Sequence, residues 1–324
     1  MANVAILGAG TMGHALALVF ALGGHRVRLT DSDPATLERA QGLMETALAT
    51  LVRYGEAPPE RTAAWLAGAA TRHALLAETV QDAELIVEAI VERPDAKRAL
   101  YAKLDEVAPA EAIWASNTSY LDVFPLVPEG RQRRAMIAHW YTPPYLVDLC
   151  DLVPGPRCEP EAVERVRAMV AAMGQTPIVM RKFVPGYVAN RVQAAIQAEV
   201  QRLLDEGVGT AQEIDAAIIH GIALRLPILG VFAKADFTGL RLMHDAARNR
   251  SGGAGEGGPG RALAELVEAG KTGVLSGAGF YDWSGRAPAE WFEERDRRLV
   301  ELRRALRRIG SLAGFQEKGE GGAP

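Results

Sequence analysis

Cysteine is nearly absent from this chain of 324 residues: Cys150 and Cys158 are its only two. At this length two cysteines exclude a disulfide framework, and the N-terminus carries neither a basic n-region nor a cleavable apolar segment. The expectation is a soluble, cytoplasmic protein of a reducing compartment. Basic residues are not in excess either. Lys+Arg 36 against Asp+Glu 40 gives a formal net charge of -4, which argues against a nucleic-acid partner, because binding a duplex needs cations to neutralise its phosphates. Long apolar runs are missing too: the most apolar early stretch, Met12 to Leu22, contains His14 and is too short for a bilayer. No membrane partner is expected, and neither an internal repeat nor a metal-ligand set is assigned.

What is present is 48% hydrophobic and 23% charged residues, enough at roughly 150 residues per domain for two domains with cores of their own. An apolar strand Val4 to Leu7, a glycine turn, a helix-like run ending at Gly23-Gly24 and a strand Val27 to Thr30 make a βαβ unit. The alternation continues through a helix Pro34 to Tyr54, a strand Leu85 to Ala89, a helix near Lys97 to Val107 and a strand Ala112 to Ser116. An apolar run Ala135 to Ala138, a strand Val147 to Val153, a crossover helix Pro160 to Met173 and a last strand Pro177 to Met180 follow. This pattern predicts the α/β class, a doubly wound parallel sheet with helices on both faces, over residues 1–184.

After Val184-Pro185-Gly186 strand patterns vanish, and residues 185–313 read as an all-α domain. Val188 to Leu204 has apolar residues at helical spacing, Thr210 with Glu213 forms a capping box, and Ser251 to Gly260 reads as a mobile glycine-rich loop. A final helix, Pro288 to Ile309, places Glu290, Glu293 and Glu294 first and Arg303, Arg304, Arg307 and Arg308 last, which suits the helix dipole. Residues 314–324 read as a disordered tail.

Gly8-Ala9-Gly10-Thr11-Met12-Gly13 matches G-x-G-x-x-G between a predicted strand and a predicted helix. Gly8 permits the tight turn, Gly10 lets backbone approach a pyrophosphate, and Gly13 lets the helix pack closely on the strand. The helix N-terminus offers free N–H groups and partial positive charge. Asp31 ends the second strand, 18 residues after Gly13, where a carboxylate accepts both ribose hydroxyls and repels a 2′-phosphate. NAD is therefore favoured over NADP, with Arg28 on the same strand counting slightly against it. Of the six histidines, His14, His25, His73, His220 and His244 lie in helical or loop stretches without a partnered motif and read as structural. His139 ends an apolar run before Trp140-Tyr141-Thr142-Pro143-Pro144, at the carboxyl end of a strand, where α/β sheets bind ligands.

The ordered set Gly8 to Gly13, Val87-Glu88-Ala89-Ile90-Val91-Glu92, Ala115 to Ser119, His139 to Pro144, Pro185 to Arg191 and Gly277-Ala278-Gly279-Phe280-Tyr281 resembles the L-3-hydroxyacyl-CoA dehydrogenase family. The resemblance spans residues 3 to about 283. It implies a Rossmann-like NAD-binding domain, a helical domain that makes a homodimer, and oxidation of a 3-hydroxyl to a ketone by hydride transfer to NAD, with a place in fatty acid metabolism. Carried over, His139 is the general base, an imidazole being suited to proton exchange at neutral pH. Asp151 stands where the family has glutamate, twelve residues after the histidine; a carboxylate there stabilises the imidazolium, but aspartate is one methylene shorter and needs a small shift or a water to reach it. Its alternative is a solvated strand carboxylate. Ser119 and Asn190 hydrogen-bond the reacting oxygen, their structural alternatives being a turn cap and a helix brace. Asn117 belongs to the same cofactor-side set, and Glu92 and Lys97 match positions near the nicotinamide ribose. Without the match, those last two would pass for surface charges.

The pattern departs from acyl-CoA members at Thr142, in place of asparagine, and at Leu275, in place of lysine. The helix Pro34 to Tyr54 has no lysine and only Arg39 and Arg53 as cations, a poor surface for CoA phosphates. Gly221-Ile222-Ala223-Leu224-Arg225 resembles the branch that holds lambda-crystallin (L-gulonate 3-dehydrogenase), L-carnitine dehydrogenase and pyridine-carboxylate dehydrogenases. The expected substrate is a small 3-hydroxy carboxylic acid clamped by Arg225, whose planar fork matches a carboxylate; an arginine snorkelling to solvent is the alternative. A true 3-hydroxyacyl-CoA dehydrogenase and a noncatalytic, crystallin-like NAD-binding protein are the competing functions.

Overall fold

In the computed structural model, residues 1–250 and 260–311 are described, Arg250 by its backbone alone. The expected loop Ser251 to Gly260, apart from Gly260 itself, and the expected tail 314–324 lie outside the described residues. Contacts divide the chain into two compact units, Met1–Ala194 and Ala195–Pro324.

The first unit is an eight-stranded sheet in the order β3-β2-β1-β4-β5-β6-β7-β8. Its strands are β1 (Asn3–Leu7), β2 (Arg26–Thr30), β3 (Ala70–Arg72), β4 (Leu85–Glu88), β5 (Ile113–Ser116), β6 (Ala135–Trp140), β7 (Leu149–Pro154) and β8 (Thr176–Val179). They alternate with α1 (Gly13–Leu22), α2 (Pro34–Arg53), α3 (Ala63–Ala69), α4 (Leu76–Val80), α5 (Pro94–Val107) and α6 (Pro160–Ala172). The order β3-β2-β1-β4-β5-β6 is that of a dinucleotide-binding sheet, with its switch point between β1 and β4. Both faces of β1 are buried, as the period of two requires: Val4 and Ile6 join one hydrophobic cluster, Ala5 and Leu7 the other.

The doubly wound, predominantly parallel sheet is as expected, with one antiparallel pair that the pattern did not report. β6 and β7 pair antiparallel, with His139 opposite Asp151, while β7 and β8 are parallel. Residues 141–148 are too few for a crossover, so the chain can only turn back beside the strand it has left. Three elements escaped the sequence pattern, β3, α3 and α4, because none exceeds seven residues and periodicity needs a longer window.

The second unit contains most of α7 (Ala189–Asp205), then α8 (Ala211–Ala216), a π-helical turn Ala217–Ala223, α9 (Leu226–Thr238), α10 (Leu240–Arg250), α11 (Arg261–Glu268) and α12 (Pro288–Ile309). The capping box of Thr210 and Glu213 opens α8 as expected. Gly230, at φ 63°, breaks α9. Asp236 on α9 is buried, and its carboxylate accepts hydrogen bonds from the backbone N–H of Phe280 and Tyr281, both at 3.0 Å, and from Trp283 Nε1 at 2.9 Å. A Cβ on Gly279 would lie 2.1 Å from Asp236 Oδ1. The Gly-Phe-Tyr pattern near the C-terminus is thus a clasp of the helical unit. Among the described residues no single helix is long and apolar enough to cross a membrane; Ala211–Ala223 with Leu226–Thr238 meet that test only as a pair bent by 69°.

Candidate active site

The glycine turn follows β1 at the switch point. Gly8 has φ +98°, and a Cβ there would come 2.7 Å from the Ala89 carbonyl oxygen; a Cβ on Gly13 would lie 1.6 Å from the Gly8 carbonyl oxygen. Neither position tolerates a side chain. A Cβ on Gly10, by contrast, meets nothing within 4 Å, so the backbone there faces open space at the start of α1. Met12, at the N-cap, makes no side-chain cap, which leaves N–H groups of the first turn for an anion. Asp31 is fixed beside the turn: Oδ2 accepts from Ala9 N at 2.7 Å and Oδ1 from Asp33 N at 2.9 Å, and each oxygen keeps a lone pair for a ribose hydroxyl. The Ala9 N–H is therefore committed to Asp31 rather than to phosphate. Arg28 pairs with Asp82 and donates to the Glu78 carbonyl, so it offers no charge to a 2′-phosphate. These residues fit NAD.

Beyond β4, the structure revises the reading of Lys97. It is 1% exposed, and its Nζ donates to both oxygens of Glu88, at 2.7 and 2.8 Å. Tyr101, Ser116 and the Ile90 N–H complete the donors around Glu88. Lys97 is thus no surface charge; it braces the end of β4, and its Nζ also lies 3.5 Å from Glu92. Glu92 Oε1 accepts from Thr118 Oγ1 at 2.6 Å, Ser119 N at 2.9 Å and Tyr120 N at 3.0 Å. Partial burial pushes its carboxyl up, but the Thr118 and Tyr120 hydrogen bonds, the Lys97 charge and the Ser119 N–H outweigh burial and hold it below the usual carboxylate range. Glu92 therefore sets the loop that carries Ser119. Asn117 Oδ1 accepts from Trp140 N at 2.9 Å, tying the end of β5 to the end of β6.

That loop meets His139. Ser119 Oγ is 3.1 Å from Nε2 of His139, which is buried. Nδ1 lies 3.9 Å from Asp151 Oδ2 and has no hydrogen-bond partner. The shorter side chain falls short, as its length implied, and the Tyr141 hydroxyl takes the carboxylate instead, donating to Oδ2 at 2.6 Å. Tyr141 was not singled out from the sequence; its only signal was its place in the His139 to Pro144 run. The imidazole is held between Tyr141, edge-on with ring centroids 4.6 Å apart, and Tyr187, at 4.8 Å. Tyr187 carries a strained φ of 51° and donates to the Thr118 carbonyl, while Gly186 N donates to the Ser119 carbonyl at 3.0 Å. Asn190, in the first turn of α7, has its backbone N–H facing the Tyr141 hydroxyl. Cys150, next to Asp151, is kept a thiol by burial and by that carboxylate.

The glycine turn touches the loop that follows β6, because Thr142 Oγ1 donates to Met12 Sδ at 3.1 Å. An imidazole and a hydroxyl thus stand near the glycine turn at the carboxyl end of one sheet. Arg225 belongs to the second unit, exposed at the N-cap of α9.

Comparison with known proteins agrees. Residues 3–183 match the 3-hydroxyacyl-CoA dehydrogenase NAD binding domain and residues 186–283 the C-terminal domain of the same family. The chain belongs to the 3-hydroxyacyl-CoA dehydrogenase family. It is 29% identical over 314 residues to 5-formyl-3-hydroxy-2-methylpyridine 4-carboxylate 5-dehydrogenase of Mesorhizobium japonicum, covering 94% of this chain and 98% of that one. Identity is 31% over 325 residues to L-carnitine dehydrogenase of Streptomyces coelicolor, covering 95% and 96%. With lambda-crystallin of Oryctolagus cuniculus it is 31% over 229 residues, covering 70% and 72%. Among solved structures, a 3-hydroxyacyl-CoA dehydrogenase of Archaeoglobus fulgidus superposes with a TM-score of 0.78 at 25% identity, covering 94% of this chain and 99% of that one. As a member of this family the chain is an NAD-dependent dehydrogenase acting on a CH–OH group, in the branch that includes lambda-crystallin and L-carnitine dehydrogenase.

Proposed function

We propose that this dehydrogenase oxidises the 3-hydroxyl of a small free carboxylic acid, with His139 as the base. The observation that carries the site is the 3.1 Å contact of Ser119 Oγ with His139 Nε2 beside the glycine turn. Bound NAD would supply the acceptor for the carbinol hydrogen as hydride. The turn of Gly8, Gly10 and Gly13, with Thr11 and Met12, would hold its pyrophosphate, and Asp31 would hold its ribose. His139 Nε2 removes the hydroxyl proton, and Ser119 with Asn190 hydrogen-bonds the oxygen on which charge develops. Asp151 stabilises the imidazolium from the Nδ1 side, and the buried surroundings of His139 keep water from competing.

The free-acid preference rests on α2. Of its two cations, Arg39 donates to Thr36 Oγ1 at 2.8 Å and lies 4.0 Å from Asp33, which leaves little for a CoA tail. The relative named for carnitine supports the same substrate class, the one named for a 5-formylpyridine 4-carboxylate shares with it only the free carboxylate, and Arg225 is assigned that carboxylate. The reading as a 3-hydroxyacyl-CoA dehydrogenase of fatty acid metabolism is favoured by one specific observation, the Archaeoglobus structure at TM-score 0.78. NADH formation with L-3-hydroxybutyrate, L-carnitine and L-gulonate, measured beside L-3-hydroxybutyryl-CoA, separates the two. A clear preference for the thioester overturns the free-acid reading.

A homodimer through the helical unit belongs to the same proposal. Its described core gathers around Ala235, Leu240 and Val267, while Val231 and Phe232 are 63% and 56% exposed in the single chain, an apolar face that a second copy would cover. Light scattering checks it; a monomer at micromolar concentration contradicts it. A cytoplasmic location, with Cys150 and Cys158 both free thiols, completes the reading and is checked by fractionation.

A further inference from the structure

We infer that Tyr141 is a positioning residue that holds the Asp151 carboxylate off His139 and thereby sets the pH range over which the imidazole acts as a base. The inference rests on the reading of His139 as base. Asp151 and His139 stand opposite one another in the antiparallel β6–β7 pair. The carboxylate, 1% exposed, needs a donor, and the imidazole Nδ1 has no partner. Each would satisfy the other, yet they stay 3.9 Å apart. The hydroxyl of Tyr141, two residues beyond His139 and edge-on to its ring, occupies Asp151 Oδ2 at 2.6 Å. Burial, together with the Asp151 carboxylate, pushes the Tyr141 phenol well above its ordinary range, so it remains a donor at every working pH.

The other groups around the imidazole do not compete for that role. Ser119 lies on the Nε2 side. Tyr187 packs its ring against the imidazole and gives its hydroxyl to the Thr118 carbonyl. Glu92, whose charge bears on Tyr187, is spent on the loop it anchors. Cys150 stays a thiol, and Asn190 presents a backbone N–H to the Tyr141 hydroxyl. Asp151 therefore supplies the charge facing Nδ1, and Tyr141 decides how closely it approaches.

Without the hydroxyl, the carboxylate's remaining donor is Nδ1–H. Closing the gap to a hydrogen-bonded separation of about 2.8 Å, at an effective dielectric of about 20, raises the midpoint of the imidazole titration by roughly one pH unit. The test follows the His139 Cε1 proton by NMR in the native chain and in Tyr141→Phe, both loaded with NAD, the resonance being assigned by its loss in His139→Gln. The acidic limb of kcat/KM against pH is measured on the same samples with the best substrate of the panel above. Both midpoints are expected to move up by about one unit. A midpoint unchanged within about 0.2 overturns the inference. Tyr141→Leu, which also removes the hydroxyl that occupies Asp151 Oδ2, is expected to move the midpoint in the same direction, and decides the matter if Tyr141→Phe does not fold; no shift there overturns the inference as well. A titration that moves while the kcat/KM limb stays put supports the clamp and overturns the assignment of His139 as base, so the two failures are distinct.

Discussion

Replacing Lys97 by methionine separates two accounts of one residue, since the family pattern puts it near the nicotinamide ribose and the structure buries it against Glu88. Methionine keeps most of the aliphatic stem and removes the ammonium. Glu88 then keeps Tyr101 at 2.9 Å, Ser116 at 2.7 Å and the Ile90 N–H at 2.8 Å, but its charge has lost the Nζ that touches both its oxygens. Removing one partner of a buried ion pair costs about 3–5 kcal/mol, and three surviving donors place this case near 3 kcal/mol. With a urea m-value of about 2–3 kcal/mol/M, the midpoint for the first unit falls by about 1 M. Because the chain has two units, the local readout is hydrogen exchange of β4 and α5 amides rather than one global signal. Adding Glu88→Gln removes the orphaned charge, so the double variant is expected to be more stable than Lys97→Met alone, a non-additivity of about 1.5 kcal/mol or more. If Lys97→Met left the midpoint and exchange unchanged while NAD affinity fell, Lys97 would be a nucleotide ligand and the bracing account wrong.

Further outcomes follow from the glycines and the cofactor-side carboxylate. Gly10→Ala points its methyl into open space, so thermal stability is expected to stay within a few degrees while the NAD Kd rises at least tenfold. Gly13→Ala drives a methyl to 1.6 Å from the Gly8 carbonyl and is expected to lower stability and NAD binding together; calorimetry beside titration tells the two patterns apart. Asp31→Asn keeps the shape but loses the charge-assisted bonds from Ala9 and Asp33, and NAD binding should weaken by about 1.5–3 kcal/mol, with less discrimination against NADP. Gly279→Ala places a methyl 2.1 Å from Asp236 Oδ1, which should destabilise the helical unit; unchanged protection of α9 amides would contradict the clasp.

The legible parts of the chain were those carried by short, local rules. G-x-G-x-x-G between strand and helix marked the turn after β1, the alternation of strands and helices pointed to the sheet, and the proline run after His139 marked the end of β6. What the sequence hid depends on pairings distant along the chain. Lys97 looks like a surface charge until Glu88, nine residues earlier, turns inward beneath it. The antiparallel return of β7 decides that Asp151 faces His139, and apolar patterning alone does not report strand direction. Tyr141 passes for another aromatic of a loop because its partner is ten residues away, across a turn. The Gly-Phe-Tyr motif was visible as a pattern, but its reason, the Asp236 carboxylate on a helix more than forty residues upstream, was not.

The central claim is that His139, poised by Ser119 beside the NAD turn, removes the proton as the hydride leaves. His139→Ala, assayed for NADH formation at saturating NAD while Kd for NAD is measured by titration, tests it most directly. The account predicts that turnover drops by about two to four orders of magnitude with NAD affinity retained; turnover within a few-fold of the native enzyme would contradict it.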